Sequence, residues 1–249
     1  MTTPPAQTSP AGPDGALRRS KKQKTAGEYP GQGDVKGDAA STGSAVVLSQ
    51  ADRGAHTRVT DGGLGLSSSR GYRIVRATRG VRTGAWYYEV QVARLGATGA
   101  ARIGWTTAGA ELQGPVGADR FGFAYRSLEG SKVHAGMREP YGAAWGEGDV
   151  SFFKNGEFQG VAFTDAPAAG VEYFPAVSLY THATQPAPAQ IRVNFGAQPF
   201  AIPGGVAAAA AAAGVPLCRP VRDVLLAVER PIKSDPGDGV AINLEASTL

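Results

Sequence analysis

Several sets of residues have the type and spacing to do chemistry. The heptapeptide Arg18-Arg19-Ser20-Lys21-Lys22-Gln23-Lys24 carries five cations and no acid. Such a run contacts phosphates without reading sequence or serves as a nuclear-import signal, its bland alternative being a solvated charge run. Arg102 and Arg126 fall in β-like stretches, and a guanidinium fork grips a carboxylate through two parallel N–H donors. Without further information a solvated outer-face arginine is the favoured reading at either position. Val221, Val224, Leu225 and Val228 recur at three-, four- and seven-residue intervals, an apolar stripe that must lie in a partner's groove or against its own domain. His56, His134 and His182 are isolated, without metal-ligand spacing. Glu147 and Asp149 form a carboxylate pair that, beside Gly146 and Gly148, reads as turn chemistry. No nucleophile elbow or phosphate-binding glycine loop occurs. The expectation is a binding protein with no catalytic residues, no cofactor and no metal.

Composition bounds the domain count, the fold class and the compartment. The 249 residues suffice for one domain with tails, and 42% are hydrophobic. The 35 glycines and 17 prolines suit short strands with many turns, or disordered ends, better than a helical bundle. Net charge is +4, yet removing the heptapeptide leaves 20 basic against 21 acidic residues. The basicity therefore belongs to a tail. Cys218 is the only cysteine, which excludes a disulfide framework and fits a reducing compartment. The start lacks an apolar signal core, and no run reaches membrane-spanning length.

Stepping along the chain gives the elements that must position these residues. Residues 1–44 are Pro, Gly, Ser, Thr and charge, too poor in large apolar groups to offset ordering entropy, and are expected to be disordered. Trp86-Tyr87-Tyr88-Glu89-Val90-Gln91-Val92 alternates, with Trp86, Tyr88, Val90 and Val92 on the core face and Tyr87, Glu89 and Gln91 opposite. Ala101 to Trp105 alternates likewise, turning Ile103 and Trp105 inward and Arg102 outward. Further strands are expected at Phe121–Tyr125, Phe152–Lys154, Phe158–Phe163, Phe174–Tyr180 and Ile191–Phe195. Asn155-Gly156 is the strongest hairpin signal, both residues tolerating the positive φ of a type I′ turn. Strands so spaced without helices between them predict an antiparallel sandwich over 45–200. A Pro/Gly/Ala linker over 201–220 follows, in which Ala207–Ala213 is a linker or short helix. A short amphipathic helix over 221–230 ends at Pro231.

These residues also carry a resemblance. Gly71-Tyr72-Arg73-Ile74-Val75-Arg76-Ala77 and Gly80 through Trp86-Tyr87-Tyr88-Glu89 look like the opening of the SPRY domain of Ash-two-like subunits of COMPASS-type histone lysine methyltransferases. Ala100-Ala101-Arg102-Ile103-Gly104-Trp105 and Leu112-Gln113-Gly114-Pro115-Val116-Gly117 resemble its middle. Phe152-Phe153-Lys154-Asn155-Gly156, Tyr173 through Tyr180 and Val193-Asn194-Phe195-Gly196 resemble its later strands. The resemblance covers about 45–200 and implies an all-β, SPRY/concanavalin-like antiparallel sandwich with a basic tail and a C-terminal docking helix.

The resemblance further implies a nuclear, non-catalytic chromatin adaptor that supports methylation of lysine four of histone three. Its implied partners are an acidic, aromatic segment of a WD-repeat subunit, a small dumpy-thirty-type dimeric subunit and the SET-domain catalytic subunit, with non-specific DNA at the basic tail. By motif match Tyr72, Arg102, Pro115 and Arg126 fall on the WD-repeat pocket, and Val221, Val224, Leu225 and Val228 on the docking stripe. The family's pocket tyrosine is Ala118 here and a pocket lysine is Leu128. After Val150 one strand and a polar insertion are missing, so the sandwich closes differently or the gene product is incomplete. The alternative is a generic SPRY module that recognises substrates in ubiquitin ligation or signalling, which does not need the C-terminal stripe.

Overall fold

The computed structural model describes residues 45–140, 150–164, 170–202, 205–214, 218–224 and 240–246. The basic tail with Arg18, Arg19, Lys21, Lys22 and Lys24, the Glu147/Asp149 pair, and Leu225 and Val228 lie outside them. In chain order the strands are β1 (Leu48–Arg53), β2 (Thr57–Thr60), β3 (Gly65–Ser68), β4 (Arg73–Ala77), β5 (Trp86–Arg94), β6 (Ala100–Thr106), β7 (Gly122–Arg126) and β8 (Ser131–His134). They continue as β9 (Met137–Pro140), β10 (Val150–Lys154), β11 (Glu157–Phe163), β12 (Phe174–Tyr180), β13 (Ala189–Asn194), β14 (Arg219–Pro220) and β15 (Val240–Ala246). One helix, α1, spans Gly205–Ala213.

Two sheets face each other. The first has the order β1-β4-β12-β6-β7-β8-β9 and every pairing in it is antiparallel. The second runs β11-β10-β15-β5-β13-β3-β2, with β14 beside the start of β5. Between them lies one apolar core. Trp86, Tyr88, Val90, Phe152 and Ile191 enter it from the second sheet, and Val75, Ile103, Trp105, Val177 and Leu179 from the first. The alternation is thus obeyed, because a period of two sends every second side chain to the same face. Tyr88 and Trp105 meet edge to face with ring centroids 5.3 Å apart, and the Tyr88 hydroxyl donates to the Gly104 carbonyl at 2.6 Å. The β10–β11 hairpin turns at Asn155 and Gly156 with φ of 51° and 82°, as a type I′ turn requires.

Two expectations are corrected beyond Phe195. Ala207–Ala213 takes the helical of its two readings, but the stretch 201–220 does more than link: Ile202, Ala209 and Cys218 pack in a cluster with Tyr87 and Phe153 on the outer face of the second sheet. A helix this short is marginal alone, so burial against the sheet stabilises what alanine's propensity begins. As a result Tyr87 and Glu89, expected on a half-exposed face, are buried. The Glu89 carboxylate accepts from the Tyr87 hydroxyl at 2.9 Å and from the Ala201 amide at 3.0 and 3.1 Å. The second correction concerns Val221. It is 0% exposed in the core between the sheets, within a single 3-10 turn over Val221–Asp223.

Candidate partner-binding site

The site is built on the outer face of the first sheet. Pairing register aligns Ile74, Ser178, Arg102, Arg126 and Ser131 in one row across five strands, all on the face turned away from the core. The next row on that face runs Arg76, Ala176, Gly104, Ala124, Val133 and Arg138. The loop between β6 and β7 folds back over part of this surface. Val116 in it packs with Ile74, Ala124, Val133 and Ala176 as a small second core. Gly117 makes that approach possible: its φ is 77°, and a Cβ there would lie 2.5 Å from the Val133 carbonyl oxygen. The loop so anchored sets Pro115 and Val116 beside Arg102.

Arg102 is 5% exposed. Its Nη1 donates to the Val116 carbonyl at 3.1 Å, and its guanidinium carbon lies 5.2 Å from the centre of the Tyr72 ring. The Val116 amide donates to Ser178 Oγ at 3.1 Å, and Tyr180 closes the side with its ring 5.2 Å from that of Tyr72. Arg126 is held by Glu129, Nη1 to Oε2 at 2.9 Å, an acid that is itself strongly exposed. Among the described residues the Nε atoms of Arg102 and Arg126 are buried without a hydrogen-bond partner, and the buried Tyr72 hydroxyl lies between the two guanidinia. Burial lowers the Arg102 pKa; the Arg138 and Arg126 charges push the same way, and Tyr72 opposes them. Burial raises the Tyr72 hydroxyl, with Arg102 and Arg126 pulling it back.

Arg76, on the same face, supplies the contrast. It is also 5% exposed, but Asp52 takes both its Nε and Nη2, at 2.5 and 2.7 Å, and the Thr107 carbonyl takes Nη1. That arginine is a finished structural ion pair. Arg102 and Arg126 have donors left over, and an unpaired buried donor costs about 1–3 kcal/mol until a ligand satisfies it. The arrangement therefore favours an anion with an apolar or aromatic flank, held by charge-assisted hydrogen bonds and by the two tyrosine faces.

The structure brings Tyr72, Arg102 and Arg126 into one neighbourhood, with Pro115 next in the chain to Val116, whose carbonyl Arg102 holds. It adds Ser178, Tyr180 and Arg138, which the sequence reading did not single out. Ser178 and Tyr180 were legible, since β12 alternates Ala176, Ser178 and Tyr180 against Val177 and Leu179. Arg138 was not, because β9 is wholly exposed and has no apolar alternation. At the two departures, Ala118 is exposed and Leu128 is 44% exposed. On the other side of the molecule Val224 is half-buried against the core. No group of three or more His, Cys, Asp or Glu among the described residues is placed to hold a metal ion.

The strands from β5 to β13 fall within the reach of one known domain profile. The SPRY domain profile matches residues 85–198, and the chain carries that domain. Among its relatives, the Set1/Ash2 histone methyltransferase complex subunit ASH2 of Drosophila melanogaster is 30% identical over 206 residues, covering 61% of this chain and 36% of the fly protein. The corresponding subunit ash-2 of Caenorhabditis elegans is 35% identical over 89 residues, 35% of this chain and 16% of that protein. Ran-binding protein 10 of Danio rerio is 33% identical over 142 residues, 51% of this chain and 22% of that protein. The chain thus spans about a third of the length of the fly relative and less of the others.

Proposed function

We propose that this chain is a non-catalytic scaffold subunit of a nuclear histone lysine methyltransferase complex. In this reading its Arg102/Arg126 pocket receives an acidic, aromatic segment of a WD-repeat subunit. The single observation that carries it is the pair of guanidinia with buried, unpartnered Nε donors beside the Tyr72 hydroxyl. A structural ion pair leaves no such surplus, as Arg76 shows. The likeness to two Set1/Ash2 complex subunits supplies the biological setting.

Two finer assignments follow. Leu225 and Val228 would dock the small dimeric helical subunit, with the exposed part of Val224 at the edge of that contact and Val221 serving the chain's own core instead. Together the WD-repeat and helical subunits would bring the SET-domain catalytic subunit to this scaffold, for methylation of lysine four of histone three. The run Arg18, Arg19, Lys21, Lys22 and Lys24 would direct nuclear import and add sequence-blind affinity for DNA. Affinity purification of the full chain from nuclear extract tests the whole reading. Co-purification of WD-repeat, SET-domain and small dimeric subunits is expected. Recovery of ubiquitin-ligase components in their place would favour the generic SPRY alternative.

A further inference from the structure

The second sheet contains a strand that runs the wrong way for its surroundings. Its other long strands pair antiparallel, as hairpin-connected strands must. β15 is parallel to both neighbours: Val240 to Ala246 pair with Trp86 to Val92 of β5, and Val240 to Leu244 with Val150 to Lys154 of β10. It is also the sole described strand that joins the β10–β11 hairpin to the rest of the sheet. Without it, β5 and β10 would border a slot one strand wide, roughly 10 Å across at the usual spacing.

Both sides of that slot are covered. Trp86, Tyr88, Val150 and Phe152 line its core side, while Tyr87 and Phe153 lie on the outer side under Ile202 and Cys218. Backbone groups bordering such a slot cannot turn to water, so the slot requires an occupant. The sequence Val240-Ala241-Ile242-Asn243-Leu244 is nearly continuous in apolar residues, as strands buried on both faces are. No tight turn ties β15 to either neighbour in sequence. Its place is set by main-chain pairing and slot shape, which is how sheets accept an added strand.

We infer that the slot between β5 and β10 is a strand-accepting site, and that a second copy of this chain can donate residues 240–246 to it. The donated strand would make the same ladder as the chain's own, so the closed and exchanged forms differ only in the connection. That connection, 225–239, is fifteen residues long and includes Pro231, Pro236, Gly237 and Gly239. Fully extended it would reach about 50 Å, enough to enter a neighbouring molecule.

The test uses the full chain in two forms, one affinity-tagged and one fluorescently labelled. They are mixed at high concentration, unfolded in denaturant, refolded together and sized by chromatography with light scattering. Dimers containing both labels are expected, and they should disappear in Ile242→Pro, which removes a ladder donor from the middle of β15. That variant should melt roughly 6–12 °C lower, and a synthetic peptide of residues 238–249 added in excess should recover most of the loss. The refolding arm with wild-type chains stands even where Ile242→Pro does not fold. Exclusively monomeric product after co-refolding overturns the inference, as does a variant whose melting temperature equals the wild type's or does not respond to the peptide.

Discussion

The outer faces of the two sheets begin from the same pattern and end in opposite states. β5 and β6 both alternate aromatic or aliphatic residues inward with polar residues outward. On β5 the outward Glu89 is roofed by the chain's own residues 200–202 and fully hydrogen-bonded. On β6 the outward Arg102 is equally buried, by the β6–β7 loop, yet retains an unpartnered donor. Burial alone does not mark a binding site, and neither does one unpartnered atom, since Trp105 Nε1 in the core has none either. Two arginines with unpartnered donors gathered beside a tyrosine on one outer face do, because folding around them costs stability that a ligand can return.

If this contrast holds, damage to the roofed side should appear as lost stability and damage to the pocket side as lost binding. The largest effect is expected from Val221→Asp. A carboxylate forced into the core between the sheets must stay unpaired or take up a proton, costing about 3–5 kcal/mol. In a thermal melt this lowers the transition by roughly 6–20 °C. An unchanged melt would return Val221 to a tethered segment.

Next comes Cys218, whose thiol burial pushes up to about 12. Below that pH the native thiol stays protonated, so alkylation by iodoacetamide at pH 8 should run about a thousandfold slower than in the unfolded chain. The same shift predicts a further loss of stability as pH rises from about 9 towards 12. Over that range the unfolded chain releases a proton that the native state keeps. Rapid labelling of the folded protein would show that the roof over the second sheet is open.

Leu225→Glu should weaken capture of the small dimeric subunit at least tenfold while leaving the melt within about 1 °C, since a buried charge without a partner is costly only where the groove forms. A pull-down paired with a melting curve separates the two. The smallest effect is expected from Arg138→Ala. As an exposed cation at the pocket rim it should contribute about 0.5–1 kcal/mol to an acidic ligand, a several-fold change in Kd that vanishes in high salt. Leu128→Lys, which returns a cation to the rim, should restore it.

Much of this was legible in the sequence, and the reasons for the gaps are physical. Strands β5, β6, β10, β11, β12 and β13 announce themselves by alternation, and the β10–β11 turn by Asn155-Gly156. Hence Arg102 could be put on an outward position of β6 from its sequence, whereas Arg126 stands one residue past the expected strand and belongs to β7. The β8–β9 hairpin was hidden because its turn places Ala135, not Asn or Gly, at a φ of 49°. β15 was hidden because a parallel strand needs no local turn, and its register depends on partners about 90 to 150 residues away. β15 joins the β10–β11 hairpin to β5 from a distant part of the chain. The burial of Tyr87 and Glu89 depends on a roof that alternation within one strand cannot report.

In the proposed function Arg102 and Arg126 receive an acidic segment of the WD-repeat subunit. Titration of that segment, as a labelled peptide, into the full wild-type chain and into Arg102→Ala addresses it most directly. Removing one partner of a desolvated charge pair should cost about 2–5 kcal/mol, a loss of roughly thirty- to several-thousand-fold in affinity, while the melting temperature changes little. Arg102→Ala binding the peptide with wild-type affinity would contradict that assignment.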